Sequence, residues 1–153
     1  MTKQEELLKV LVENNIINAD QAQEVWREVK EKKKNLEDVL LRKKLVDEEE
    51  LVKLKAKLYN LPYANLLEEK IEQEVINIIP QEVAENYNIV CFAKAGNIIK
   101  VGISDPENFK ALEAVDFLAK EHNLTVQYYL ISKKSFQTAF GQYKSLAEEL
   151  TSA

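Results

Sequence analysis

One cysteine is too few for an internal disulfide, a single histidine rules out a multi-histidine metal site, and no Cys-x-x-Cys pair occurs. Three glycines and three prolines leave no long flexible linker. Gly96, Gly102 and Gly141 have neither the spacing nor the lysine of a phosphate-binding loop. Apolar runs such as Val10 to Val12 are far too short to cross a bilayer. The opening "MTKQEELLKV" lacks the basic start and apolar core of a secretory signal. The expectation is a soluble cytoplasmic protein that does not insert into a membrane.

No part of the chain has the basic excess of a nucleic-acid binder. Residues 1–63 carry 13 Lys and Arg against 13 Asp and Glu, whereas residues 64–153 carry 8 against 13. The whole net charge of −5 therefore lies in the second part, which speaks against nucleic acid as a partner. A hydrophobic content of 46% is enough for a real core.

What the sequence does contain is a repeat. Shifting "LLKVLVENNIINADQA" (7–22) by 29 residues lays it on "LEDVLLRKKLVDEEEL" (36–51). Leu7 meets Leu36, Leu11 meets Leu40, Ile16 and Ile17 meet Leu45 and Val46, and Asn18 meets Asp47. Each copy reads as two short helices. Thr2 with Glu5 forms a capping box, Asn18 with Gln21 starts the second helix, Asn35 caps a third, and Asp47 with Glu50 caps a fourth. Neither two-helix copy can bury an apolar face alone, so the copies should pack on each other.

The period changes after "YNLPYANL". Two strand-like runs, 89–94 and 98–103, flank a turn at Ala95-Gly96-Asn97. A helix follows, with Asp105 as its cap and Pro106 at its first position, and Asn123 is a left-handed C-cap. "TVQYYLI" reads as a third strand. Ser132 caps a last helix whose stripe is Phe136, Ala139, Phe140, Tyr143 and Ala147. The expected fold is α+β: a helical subdomain of two 29-residue repeats over 1–63, then an α+β subdomain over 64–143 with a mainly antiparallel three-stranded sheet and covering helices. Residues 144–153 read as the start of a connector.

No catalytic constellation, metal site or cofactor site emerges. His122 sits in the last turn of a helix and Cys91 in a strand, both with structural readings. The acidic clusters 47–50 and 68–74 read as a helix N-terminal turn and a solvated face. Two features could do more. Trp26 is either a core residue or an interface anchor. The basic groups Lys30, Lys32–Lys34 and Arg42–Lys44 are either solvated turns or a surface for an anionic ligand or an acidic partner.

The repeat followed by this α+β unit resembles the N-terminal region of the traffic ATPases of type II secretion and type IV pilus assembly. The resemblance covers about residues 5–143. In the second half it rests on "LPY" at 61–63, "IP" at 79–80 with Ala84 and Tyr87, "VGISDP" at 101–106, Ser132 and Tyr143. It implies a non-enzymatic docking module that binds the cytoplasmic part of an inner-membrane platform protein and is peripheral to that membrane only through this partner. ATP hydrolysis would belong to a separate C-terminal domain of the parent chain. Partner-binding candidates are Trp26, Arg42, Lys43 and Lys44.

A subset of that family binds cyclic di-GMP through two copies of a 24-residue motif with a five-residue spacer, which equals the period seen here. The motif opens with Arg-Leu-Gly and has glycine at its tenth position. Here the openings are Glu6-Leu7-Leu8 and Asn35-Leu36-Glu37, and the tenth positions are Asn15 and Lys44. The skeleton Leu7, Leu11, Leu36 and Leu40 is kept, while the arginines and glycines are lost. Loss of arginine removes a charged donor for phosphate or guanine. The alternative reading is a cyclic di-GMP sensor with a degenerate motif.

Overall fold

A computed structural model of the chain describes residues 1–143. The chain divides into two compact units, the first spanning Met1–Asn60 and the second beginning at Leu61. The proposed connector at 144–153, with Ala147, lies outside the described residues.

The first unit is four helices, α1 (Lys3–Glu13), α2 (Ala19–Lys32), α3 (Leu36–Arg42) and α4 (Glu48–Leu58). The 29-residue shift maps the end of α1 onto the end of α3, and the start of α2 onto the start of α4. Both first helices stop in the same way. Ile16 N–H donates to the Leu11 carbonyl (3.0 Å) and Asn15 N–H to Val12 (3.0 Å), while Leu45 N–H donates to Leu40 (3.1 Å) and Lys44 N–H to Leu41 (3.0 Å). These crossed bonds satisfy carbonyls that the helix itself leaves unpaired.

The starts are also local. Asn18 and Gln21 form a complete capping box, with Gln21 N–H donating to Asn18 Oδ1 at 2.8 Å and Asn18 N–H to Gln21 Oε1 at 2.9 Å. Thr2 and Glu5 form half of one. Thr2 Oγ1 accepts from Glu5 N–H at 3.1 Å, but the Glu5 carboxylate takes the Thr2 hydroxyl rather than its backbone N–H. Asn35 and Asp47 cap α3 and α4. The four apolar faces meet in one core that contains Leu7, Leu11, Val25, Leu36, Val39, Leu40 and Leu51.

The second unit holds α5 (Gln73–Ile76), α6 (Gln81–Tyr87), β1 (Ile89–Ala95), β2 (Ile98–Ile103), α7 (Phe109–Glu121), β3 (Thr125–Leu130) and α8 (Lys133–Phe140). The hairpin forms as the sequence implies, with Ala95 opposite Ile98 and Gly96 at a φ of 62° that favours glycine. The sheet order is β1-β2-β3. β2 and β3 are parallel, with Ile98 opposite Thr125 and Ile103 opposite Leu130, so the sheet is mixed rather than mainly antiparallel. The reason is α7: a helix between two neighbouring strands carries the chain back to the starting end of the sheet, which makes the next strand parallel.

The start of α7 also differs from expectation. Asp105 makes a local turn instead of a cap, its Oδ1 accepting from Glu107 N–H at 2.9 Å. Asn108 is the cap, its Oδ1 accepting from Ala111 N–H at 3.2 Å. Asn123 is left-handed as expected, with φ 54°, and Ser132 caps α8 through Ser135 N–H at 2.9 Å. Buried polar groups tie the unit together. Leu66 N–H donates to Ser135 Oγ (3.0 Å) and Tyr143 O–H donates to the Ile79 carbonyl (2.6 Å).

Candidate docking surfaces

The four skeleton leucines are core residues. Leu7 is 3% exposed, Leu36 1%, and Leu11 and Leu40 are fully buried. The left-handed residues that follow the C-caps of α1 and α3 are the tenth positions of the repeat, Asn15 (φ 59°) and Lys44 (φ 56°). Glycine is the residue that adopts this conformation without a Cβ penalty. Trp26 is half-buried and packs on the core of the first unit.

Arg42 and Lys43 are engaged within the first unit. Glu28, on α2, is bonded by Arg42 and lies 3.5 Å from Lys32 Nζ and 3.9 Å from Lys43 Nζ, while Lys43 also meets Glu24 at 3.4 Å. Desolvation pushes the Glu28 carboxyl up, but Arg42, Lys32 and Lys43 together hold it below its ordinary value. Lys44 is exposed at the end of the same turn. α3 and α4 are braced by Lys55 and Glu37, 2.6 Å apart and mostly covered.

Cys91 is buried, and burial pushes its thiol up to about 11, the opposite of a reactive thiolate. His122 is the C-cap of α7 and lines an open groove of about 430 Å³ with Glu74, Val75, Ile78 and Lys94 among its other walls. Among the described residues no group of three or more His, Cys, Asp and Glu is placed to hold a metal ion. No described helix is long and apolar enough to cross a membrane.

The outer face of α7 escaped the sequence reading. Ala111, Val115 and Ala119 are its buried side, whereas Phe109 and Phe117 are 69% and 63% exposed. The signal was present in "FKALEAVDFLAKE": once one helical stripe is assigned to the core, two phenylalanines remain outside it.

Together these features describe a helical repeat unit followed by an α+β unit with exposed helix faces, and the relatives agree. The chain belongs to the MshEN domain family, which it matches over residues 59–150. Type IV pilus assembly ATPases PilB of Myxococcus xanthus and Pseudomonas aeruginosa are 26% and 27% identical over 88% and 72% of this chain. The chain spans only 23% and 20% of their lengths. A structure of MshE with cdg shares the fold at a TM-score of 0.74 and 20% identity, covering 90% of this chain and 98% of that one. The N-terminal domain of XpsE does so at 0.67 and 14% identity, covering 95% and 98%. The resemblance to N-terminal domains of type II secretion and type IV pilus assembly ATPases thus holds, and the match is to that module rather than to a catalytic domain.

Proposed function

We propose that this chain is a non-catalytic docking and regulatory module of a secretion or pilus assembly ATPase, and that it binds the cytoplasmic part of an inner-membrane platform protein. The observation that carries the reading is membership of the MshEN family together with PilB relatives several times longer than this chain. The module lies at the cytoplasmic side of the membrane through that partner, and ATP hydrolysis resides in a C-terminal domain of the parent protein. The helical subdomain (1–63) and the α+β subdomain (64–143) relay movement between motor and platform. Trp26, Arg42, Lys43 and Lys44 are partner-binding candidates of the first subdomain; Lys44 is exposed, Trp26 half-buried, and Arg42 and Lys43 would exchange Glu28 for acids of the partner. The test is retention of the platform protein's cytoplasmic domain on the immobilised chain. Failure to retain it at micromolar concentration rejects the reading.

A second reading has its own support. A solved relative is MshE with cdg, and Asn15 and Lys44, at the tenth positions where the cyclic di-GMP motif has glycine, keep the left-handed backbone that glycine favours. Against it stand the lost arginines and the burial of Leu7, Leu11, Leu36 and Leu40. Calorimetric titration with cyclic di-GMP separates the two. No heat is expected, and saturable micromolar binding would put the sensor first.

A further inference from the structure

The exposed face of α7 combines two features that select a partner. Phe109 and Phe117 are eight residues apart, about 12 Å along the axis and roughly 80° around it, so both rings can meet one partner element. Glu113 lies between them, and all three are exposed. Around them the chain is acidic. Residues 105–121 hold Asp105, Glu107, Glu113, Asp116 and Glu121 against Lys110 and Lys120, a net of −3. All seven are exposed.

Two aromatic side chains more than 60% exposed on one helix are rarely left to solvent. Their surroundings decide what covers them. An anionic membrane surface would be repelled by a net of −3, and so would the same face of a second copy, which would also bring Glu113 against Glu113. A partner with apolar side chains for the two rings and cations for the acids satisfies both requirements. A helix that repeats Leu or Phe at seven or eight residues, with Lys or Arg beside them, supplies that pattern.

We infer that the outer face of α7 docks a basic amphipathic helix, with Phe109 and Phe117 as anchors and Glu113 facing a cation. The inference rests on the docking reading above and supplies its surface and partner chemistry. It adds a surface on the second unit to the candidates Trp26 and Arg42–Lys44 of the first.

The test uses the 153-residue chain, ¹⁵N-labelled, titrated with a synthetic Leu/Lys amphipathic helix and with its Leu/Glu counterpart. The Leu/Lys peptide should bind saturably, with amide shifts concentrated in 109–121, and the Leu/Glu peptide should not bind. Phe109→Ala with Phe117→Ala, both exposed and so compatible with folding, should weaken binding at least tenfold. Glu113→Lys should weaken it several-fold and admit the Leu/Glu peptide. Lys9→Ala with Glu13→Ala, both exposed on α1, should leave it unchanged. No binding, shifts elsewhere, or equal affinity in the Phe109/Phe117 variant overturns the inference. So does phenylalanine-dependent binding to phosphatidylglycerol vesicles. The platform fragment separates this from the docking reading. Equal retention by wild type and the Phe109/Phe117 variant removes α7 and leaves docking standing. Peptide binding without any retention of the fragment supports the surface and removes the platform as its partner.

Discussion

Asn15 and Lys44, 29 residues apart, adopt the same left-handed conformation at the same place in the two copies of the helical repeat, with φ of 59° and 56°. The conformation belongs to the Schellman turn that ends each first helix, so the backbone demands it whichever side chain is present.

A lysine there is strained by its Cβ. Lys44→Gly should raise stability by about 0.5–1 kcal/mol, because relief of roughly 1–2 kcal/mol of left-handed strain exceeds the added entropy of glycine. Asn15→Gly should gain less, since asparagine visits this region more readily. Urea unfolding midpoints check both, and a lower midpoint for Lys44→Gly would refute the strain argument.

Glu37 and Lys55 occupy the positions that the repeat assigns to Leu8 and Trp26 in the first copy, so an apolar pair there becomes an ion pair here. With side chains 25% and 14% exposed, the pair is screened less than a surface bridge. A double-mutant cycle with Glu37→Gln and Lys55→Met should return a coupling of about 1 kcal/mol. Raising salt should reduce it only slightly. A coupling near zero would assign the contact to packing of the lysine stem.

Glu28 makes stability depend on pH. Its native carboxyl is held below the ordinary value of 4.5, so the unfolded state binds the proton more readily. The stability it contributes is present above that ordinary value and is lost as pH falls through the lowered native one. Urea midpoints between pH 6 and pH 3 should fall more steeply for wild type than for Glu28→Gln. Parallel curves would mean that Arg42, Lys32 and Lys43 interact equally with the unfolded chain.

Cys91 should be inert in the native state. Burial raises its thiol from 9.0 to about 11, so little thiolate exists at pH 8 and alkylating reagents have little access. Iodoacetamide labelling at pH 8 should follow the unfolding rate and become fast only in denaturant. Because the native pKa is raised, the buried thiol's contribution to stability is intact below pH 9.0 and is lost as pH climbs toward 11. Rapid labelling of the native protein would show that β1 opens locally.

The sequence by itself determined the features whose partners lie within a few residues. Asn18 with Gln21, Asn35, Asp47, Asn123 and Ser132 each act on backbone groups at most five positions away, and the hairpin needs only Gly96 between two apolar runs. The repeat and the family resemblance were legible because both are properties of order and spacing. Tertiary structure alone decided the rest. The direction of β3 depends on where α7 returns the chain, and Asn108 prevailed over Asp105 as the cap because Asp105 had found a nearer N–H. Arg42 is held by Glu28, 14 residues away, and Phe109 is exposed because the stripe of α7 that packs is Ala111, Val115 and Ala119. Ion pairing and burial join residues distant in the chain, and no local pattern encodes which of several apolar or charged side chains the packed core will admit.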